Sequence, residues 1–154
     1  VVASEQIIAA LSQINAVMNL APGSVGAVLT GELVKTGEII NVSRDIIKPF
    51  YKSKADFAVN LFKEHLRGTD FFIHKPEGAI FLWLWFRAIK IDSHELYKRL
   101  KERGVLVVSG HYFFPGLSDP WQHRNECIRV TYSQSNEVVE KGIKIIADEV
   151  KKCY

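Results

Sequence analysis

Residues 71–86 read FFIHKPEGAIFLWLWF, and this stretch decides the fold. Two runs rich in aromatic and β-branched residues, 71–73 and 79–86, flank the polar residues 75–78, a pattern typical of two strands and their connection. Pro76 at the second position of that connection and Gly78 at the fourth favour a type I turn. The stretch therefore predicts a β-hairpin.

Helical patterns precede the hairpin. We predict a first helix that begins after the N-cap residue Ser4 and ends before residues 21–23. Its apolar residues recur at helical spacing: Ile7, Leu11, Ile14 and Met18. A second helix is predicted over residues 25–34, and a third over residues 38–66 with Gly68 as the residue that follows its end. Pro49 lies inside the third pattern and predicts a kink or a break there.

A short helix, two strands and a last helix follow the hairpin. Asp92 and Glu95 form a capping box for the short helix, which Gly104 ends. Strands are predicted over residues 105–108 and 127–132, and the last helix starts near Ser135. The inner face of that helix is formed by Val139, Ile143, Ile146 and Val150. The order predicts an α+β fold in a single domain over residues 1–154, with long N-terminal helices and a small antiparallel-rich sheet that carries helices on one side.

The composition is that of an ordinary globular domain. The 154 residues are 47% hydrophobic and 24% charged, and the net charge of +3 is spread among interleaved acidic and basic residues. Such a surface offers no basic stripe for a phosphate backbone, so we expect no nucleic-acid partner. Cys127 and Cys153 lack CxxC spacing and are expected to be reduced thiols. Because no secretory pattern and no bilayer-length apolar run occurs, we expect a cytoplasmic protein without a membrane partner.

Common catalytic and metal motifs are absent from the sequence. No GxSxG, P-loop, GxGxxG or HExxH pattern occurs, which leaves hydrolase, kinase and dinucleotide-binding functions without support. His123 and Cys127 have a spacing that could give two zinc ligands, and His111 is nearby in sequence. A catalytic zinc site needs at least three ligands and a structural site four, so we expect no metal.

Two features suggest a ligand site. Residues 109–116, SGHYFFPG, follow a predicted strand and place three aromatic side chains between glycines, which could wall an apolar pocket. The alternative is a loop whose aromatic residues only fill the core. Arg129 lies in the predicted strand 127–132, where a guanidinium can be presented as a rigid fork to a carboxylate. The alternative is an arginine that faces solvent from an edge strand.

These motifs, in this order, resemble the C-terminal small domain of fold-type-I, pyridoxal phosphate (PLP)-dependent class I and II aminotransferases. The resemblance rests on the Pro-x-Gly turn and aromatic strand at 75–83, the loop at 104–113, and the apolar-Arg-apolar-Thr strand at 128–131. Ser109 departs from the proline usual in that loop. The resemblance covers essentially the whole chain.

The resemblance implies transfer of an amino group between a small aliphatic amino acid, such as valine or alanine, and a 2-oxo acid. In this reading, Arg129 binds the α-carboxylate of the substrate. The other residues expected at the substrate are Gly110, Phe113, His111 and Tyr112. Residues 19–24 match a region that in the family reaches the active site near the interface of a homodimer.

The resemblance also implies that part of the active site lies elsewhere. In the family, PLP forms its Schiff base with a lysine of a large domain, and none of the thirteen lysines here has the expected Ser-x-Ser-Lys context. The chain starts at Val1 without a methionine, as a piece of a longer protein would. We therefore expect this chain alone to bind no PLP, to have no catalytic residue and to be inactive. Without the large domain to cover it, this chain would expose apolar surface and self-associate.

Two alternatives remain open. One is a non-catalytic module of the same fold that senses an amino acid or mediates an interaction. The other is an unrelated α+β interaction domain that shares only the general pattern of residue types with the family. A solvent-facing Arg129 with no cleft near the loop that begins at Gly110 would favour the latter.

Overall fold

The computed structural model describes residues 2–18, 23–117 and 119–154, and the chain divides into two compact units, Val1–Ser43 and Arg44–Tyr154. The first unit contains helices α1 (Glu5–Met18), α2 (Val25–Lys35) and α3 (Glu38–Val42). None of the described residues of these three helices is buried. The predicted apolar face of α1 is therefore helical but exposed. The single domain over residues 1–154 remains a prediction.

The helix predicted over residues 38–66 is divided by a π-helical turn, Ser43–Ile47, which follows α3 and precedes α4 (Lys48–His65). Pro49 lies in the first turn of α4. Proline has no N–H to donate, and its ring crowds the carbonyl four residues earlier, so the regular α-helical ladder cannot run through it. The predicted break thus takes the form of a wider turn just before Pro49. Gly68 adopts a left-handed φ of 87° after the end of α4.

A four-stranded antiparallel sheet forms the centre of the second unit. Its strands are β1 (Phe71–Ile73), β2 (Phe81–Phe86), β3 (Val108–Ser109) and β4 (Cys127–Thr131), in the spatial order β1-β2-β4-β3. In the register, Phe71 lies opposite Phe86, and Arg129 lies opposite both Trp83 and Val108. The predicted hairpin corresponds to β1 and β2.

The connection of the hairpin is longer than predicted. Strand β2 begins at Phe81 rather than at residue 79, and residues 74–80 form an open loop instead of a four-residue turn. The carbonyl of Ala79 accepts a hydrogen bond from the Tyr132 hydroxyl (2.8 Å), and that of Ile80 accepts one from the Tyr132 N–H (3.2 Å). Ala79 has a φ of 62° in this arrangement. The end of β4 therefore holds these carbonyls, and the strand starts later.

The strand predicted over residues 105–108 is also displaced. Strand β3 contains only Val108 and Ser109. The N–H of Val105 donates to the carbonyl of Leu100 (2.9 Å), and the side chain of Leu106 is 70% exposed. The first residues of the predicted strand therefore complete the end of the preceding helix.

Two capped helices follow the hairpin as predicted. In α5 (Ser93–Glu102), the side chain of the N-cap residue Asp92 accepts a hydrogen bond from the N–H of Glu95 (2.7 Å). In α6 (Asn136–Lys151), Ser135 is the N-cap residue. The predicted inner face of α6 is buried at all four positions: Val139, Ile143, Ile146 and Val150.

One face of the sheet carries the hydrophobic core. Leu82, Leu84 and Phe86 alternate along β2 and are buried with Ile128 of β4. Residues of all three helices of this unit complete the same cluster, among them Phe62, Leu96 and Ile143. This arrangement confirms the predicted α+β class with an antiparallel sheet. The opposite face carries the candidate site.

Candidate functional site

The face of the sheet opposite the core is aromatic. Strict alternation along β2 places Trp83 and Trp85 there, both half-buried, and loop residues cover them. The rings of Phe113 and Phe114 lie with their centroids 5.1 and 6.0 Å from that of Trp83. The ring of His123 lies 4.7 Å from that of Trp85. Because Phe113 and Phe114 cover this face rather than joining the described core cluster, they wall a surface instead of filling the interior.

Arg129 lies at the centre of this aromatic face. Strand β4 is flanked by β2 and β3, so the arginine is not on an edge strand of the described sheet. Its guanidinium carbon lies 4.2 Å from the ring centroid of Phe81 and 4.8 Å from that of Phe113. Among the described residues, its Nε is buried without a hydrogen-bond partner, and no carboxylate lies within ion-pairing distance of the group. One buried N–H of this charged group thus lacks an acceptor among the described residues.

An open cleft of about 310 Å³ lies beside Arg129. Phe81 and Trp83 line one part of it, and the loop of residues 74–78 lines another. Within that loop, Lys75 and Glu77 form an exposed ion pair with an Nζ–Oε1 distance of 2.8 Å. The cleft is therefore apolar on its sheet side, and the guanidinium contributes a positive charge that no acidic side chain of the described chain neutralises.

Gly110 allows the loop to approach the sheet. It begins a 3₁₀ turn, Gly110–Phe113, directly after β3. A Cβ atom at this position would lie 2.6 Å from the carbonyl oxygen of Cys127, 2.7 Å from the Cβ of Cys127 and 2.9 Å from the carbonyl oxygen of Arg124. Only glycine fits this close approach without a shift of the backbone. Gly110 thereby brings Phe113 against Arg129.

The structure separates the five predicted site residues into two groups. Arg129 and Phe113 are in contact, and Gly110 supports that contact. His111 instead lines a different cleft of about 310 Å³, with Asp92, Ser93, His94 and Asn125. Tyr112 is 65% exposed, and its ring packs on that of His111 with a centroid distance of 4.0 Å. The substrate-contacting role of all five residues remains a prediction.

Phe81 is a site residue that sequence reasoning missed. A signal was present, because alternation along β2 places residue 81 on the same face as Trp83, which lies opposite Arg129 in the register. The predicted strand start at residue 79 gave the same alternation. The missing information was the direction of the Arg129 side chain, which no pattern in the sequence specifies.

The thiol of Cys127 lies on the same face of the sheet as Trp85 and Arg129, and its burial disfavours the thiolate form. Its Sγ lies 3.5 Å from the Nε2 of His123, and burial raises the pKa of the thiol to about 12. A protonated thiol is a poor nucleophile and a poor metal ligand. Within the described residues, no group of three histidine, cysteine or acidic side chains could hold a metal ion.

A Schiff base with PLP would require a lysine of the protein. Every lysine other than Lys54 is exposed. Lys54 is half-buried and donates a hydrogen bond to the carbonyl of Gln134 (2.7 Å), on the helical side of the molecule. Lys75 lines the cleft beside Arg129, where it is exposed and paired with Glu77. The expectation that the Schiff-base lysine lies outside this chain remains a prediction.

Comparison with known proteins shows the family of this chain. Residues 1–146 match the sequence model of the family described as aminotransferase class I and II, and the chain belongs to this family. It is 42% identical over 154 residues to the valine–pyruvate aminotransferase of Escherichia coli (strain K12), covering 100% of this chain and 37% of that protein. It is 28% identical over 137 residues to the mitochondrial kynurenine/alpha-aminoadipate aminotransferase of Rattus norvegicus, covering 86% of this chain and 32% of that protein.

A solved structure gives the same result. The chain matches the crystal structure of valine–pyruvate aminotransferase from Salmonella typhimurium LT2 with a TM-score of 0.84 and 41% identity. The match covers 99% of this chain and 39% of that one. The chain thus spans less than two-fifths of the length of these relatives. Among the described residues, no helix is long and apolar enough to cross a membrane.

Proposed function

We propose that this chain is the small domain of a larger PLP-dependent aminotransferase and that Arg129 binds the α-carboxylate of the amino acid or 2-oxo acid. The observation that carries the proposal is the environment of the Arg129 guanidinium. This group lies beside the cleft and packs against the rings of Phe81 and Phe113, and its Nε is buried and unpaired among the described residues. A buried N–H without an acceptor is costly, and a carboxylate that accepts hydrogen bonds from the arginine fork would supply one.

The other residues of the cleft have a more limited role in this proposal. An arginine fork fixes the direction of the carboxylate and thereby the orientation of the substrate. Trp83 lines the cleft and Phe113 packs on it, and together they offer an apolar wall to the side chain of a small aliphatic amino acid such as valine or alanine. The relatives at 41–42% identity are named for valine. Since each methylene contributes only about 1–3 kcal/mol of discrimination, the wall biases the choice of side chain without fixing it.

The proposal places PLP and its lysine in another part of the same protein. When bound, this cofactor supplies the electron sink of transamination, and the protein supplies orientation. Because Lys75, which lines the cleft, is exposed and paired with Glu77, we assign the residues of this chain only to the substrate. The proposal includes a homodimer as the assembly of the whole protein. It also includes the cytoplasm as its location, where free thiols such as Cys127 and Cys153 stay reduced.

Replacement of Arg129 in the full-length protein tests the proposal. Two hydrogen bonds to a charged group contribute about 1.5–3 kcal/mol each, so Arg129→Ala should lower kcat/KM by about 100-fold or more. Arg87→Ala is the matched control, because Arg87 also lies over aromatic rings of this sheet but is paired with Asp70 (2.6 Å). A near-wild-type kcat/KM for Arg129→Ala would remove Arg129 from this role. Carboxylate binding through Arg129 without any transamination would favour a sensing module instead.

A further inference from the structure

The guanidinium of Arg129 is held by aromatic rings instead of by acidic side chains. Its central carbon lies 4.2 Å from the ring centroid of Phe81, closer than any other arginine or lysine contact to a ring in the described structure. Phe113 provides the second ring at 4.8 Å. We call Phe81 and Phe113 the aromatic cradle.

The two rings reach Arg129 from independent parts of the chain. Phe81 is the first residue of β2 and lies opposite Thr131 in the register, two residues along β4 from Arg129. Both side chains therefore project from the same face of the sheet. Phe113 comes from the 3₁₀ turn that Gly110 docks against Cys127. The position of Phe81 is thus set by the sheet itself and needs no loop to close.

A ring and a carboxylate hold a guanidinium in different ways. A carboxylate on the protein would accept the N–H bonds of the fork, whereas a ring contacts the π-face of the cation and leaves those N–H groups free for a ligand. An arginine also has many rotamers, and a ring packed on its guanidinium reduces the number that must be lost when the ligand binds. The cradle therefore orients Arg129 without competing with the substrate.

We propose that Phe81 is a positioning residue for substrate carboxylates: its ring holds the guanidinium of Arg129 in the orientation that receives the carboxylate. This inference rests on the proposed function of Arg129. In this inference, Phe81 acts through Arg129 and does not itself bind the carboxylate. Loss of the Phe81 ring should therefore weaken the binding of carboxylates but not that of uncharged analogues of the same shape.

The test compares two ligands and four variants of the full-length protein. The ligands are 3-methylbutanoate, a carboxylate, and 3-methylbutanamide, its uncharged isostere, each measured as a competitive inhibitor against the amino-acid substrate. Phe81→Leu removes the ring, Phe81→Tyr retains it, and Arg129→Ala removes the cation. Phe72→Leu is the matched control, because Phe72 is also exposed on this face and contacts an arginine, Arg87, at 5.2 Å.

We expect Phe81→Leu to raise the inhibition constant of 3-methylbutanoate about tenfold and to leave that of 3-methylbutanamide unchanged. Phe81→Tyr and Phe72→Leu should both stay within twofold of the wild-type protein for both ligands, and thermal unfolding should confirm that all variants are folded. An equal rise for acid and amide, or no change for either, would overturn the role of Phe81 if Arg129→Ala still weakens acid binding. If Arg129→Ala leaves acid binding unchanged, the proposed function itself fails, and the role of Phe81 fails with it.

Discussion

Arg129 and Gly110 show how single residues set the geometry of the candidate site. Arg129 carries a charge without an acidic partner among the described residues, so the surrounding structure must hold it by packing. Gly110 has no side chain, and its contribution is the close approach that this permits. A residue can therefore matter at this site without touching a ligand.

Gly110→Ala tests the close approach. The added Cβ would meet backbone atoms of Cys127 and Arg124 at 2.6–2.9 Å, which a rotamer change cannot relieve. We expect a loss of about 1–3 kcal/mol in the free energy of unfolding, as for other overpacked sites. Urea unfolding of the purified chain measures it. Gly142→Ala is the control with the opposite sign: its Cβ would meet nothing within 4 Å inside α6, so it should stabilise the chain by about 0.5–1 kcal/mol.

Glu126 offers a second test at this scale. The carboxylate is buried, and it accepts hydrogen bonds from the indole N–H of Trp85 (2.7 Å) and the backbone N–H of Ala88 (3.0 Å). Glu126→Ala would leave both donors without an acceptor, which costs about 1–3 kcal/mol for each buried group. We expect a lower urea midpoint and a change in tryptophan fluorescence in the folded state. An unchanged midpoint would show that water replaces the carboxylate.

The sequence pointed to some of the residues that lie at the cleft and missed others. Arg129 stood out because a strand can present a guanidinium as a rigid fork, and the glycines of the loop indicated tight turns. Phe81, in contrast, was hidden among eight apolar residues of the same strand pattern. His111 shares the loop with Phe113 but lies at another cleft, since a 3₁₀ turn sends neighbouring side chains in different directions.

At the scale of elements, helices α5 and α6 are joined by a buried carboxylate. Glu149 of α6 is 7% exposed, and its Oε2 lies 3.3 Å from a guanidinium nitrogen of Arg103 and 3.1 Å from the Nζ of Lys152. Burial by itself raises the pKa of this carboxyl, but the hydrogen bonds and positive charges of Lys152 and Arg103 outweigh burial, and the pKa lies below its ordinary value. The charged form of Glu149 therefore stabilises the folded state.

This network predicts a pH dependence. Because the pKa of Glu149 is lower in the folded state than in the unfolded state, its contribution is fully present above the unfolded value of about 4.3 and is lost as the pH falls through the folded value. In Glu149→Gln, the free energy of unfolding should decrease less steeply than in the wild type as the pH is lowered from about 5 to about 3. Glu140→Gln, which breaks an exposed pair with Lys144 on the same helix, should leave the slope unchanged. Equal slopes for the wild type and Glu149→Gln would contradict this assignment.

Elements with strong local signals were predicted closely. The caps Asp92 and Ser135, the apolar spacing of α6 and the break before Pro49 are all set by neighbouring residues, which a sequence displays directly. The start of β2 was misjudged because a partner distant in sequence decides it, and the start of β3 was misjudged because the end of α5 extends to Val105. The hydroxyl and the N–H of Tyr132 donate hydrogen bonds to the two carbonyls before β2, and the N–H of Val105 donates to the carbonyl of Leu100. Strand starts that depend on contacts distant in sequence cannot be read from local propensity.

At the scale of the whole chain, the exposed apolar residues of α1 and α2 predict self-association. Ile14 and Leu29 are 59% and 72% exposed, and similar side chains recur along both helices. Since large exposed apolar patches usually mark interfaces, we expect the isolated chain to self-associate as its concentration rises. Size-exclusion chromatography with light scattering measures the mass. A double replacement, Ile7→Ser with Ile14→Ser, should shift the chain toward the monomer, and a monomeric wild type at millimolar concentration would contradict the expectation.

The division of the active site between this chain and the rest of a larger protein is tested most directly by its lysines. The purified chain is incubated with PLP, reduced with borohydride, and digested so that mass spectrometry maps any labelled lysine. We predict no stoichiometric label at a single site. Exposed lysines have no pocket that would favour one of them over the others, and the half-buried Lys54 donates a hydrogen bond to the carbonyl of Gln134. Complete labelling of one lysine, with an aldimine absorbance band before reduction, would show that the chain holds the cofactor itself and would contradict the account.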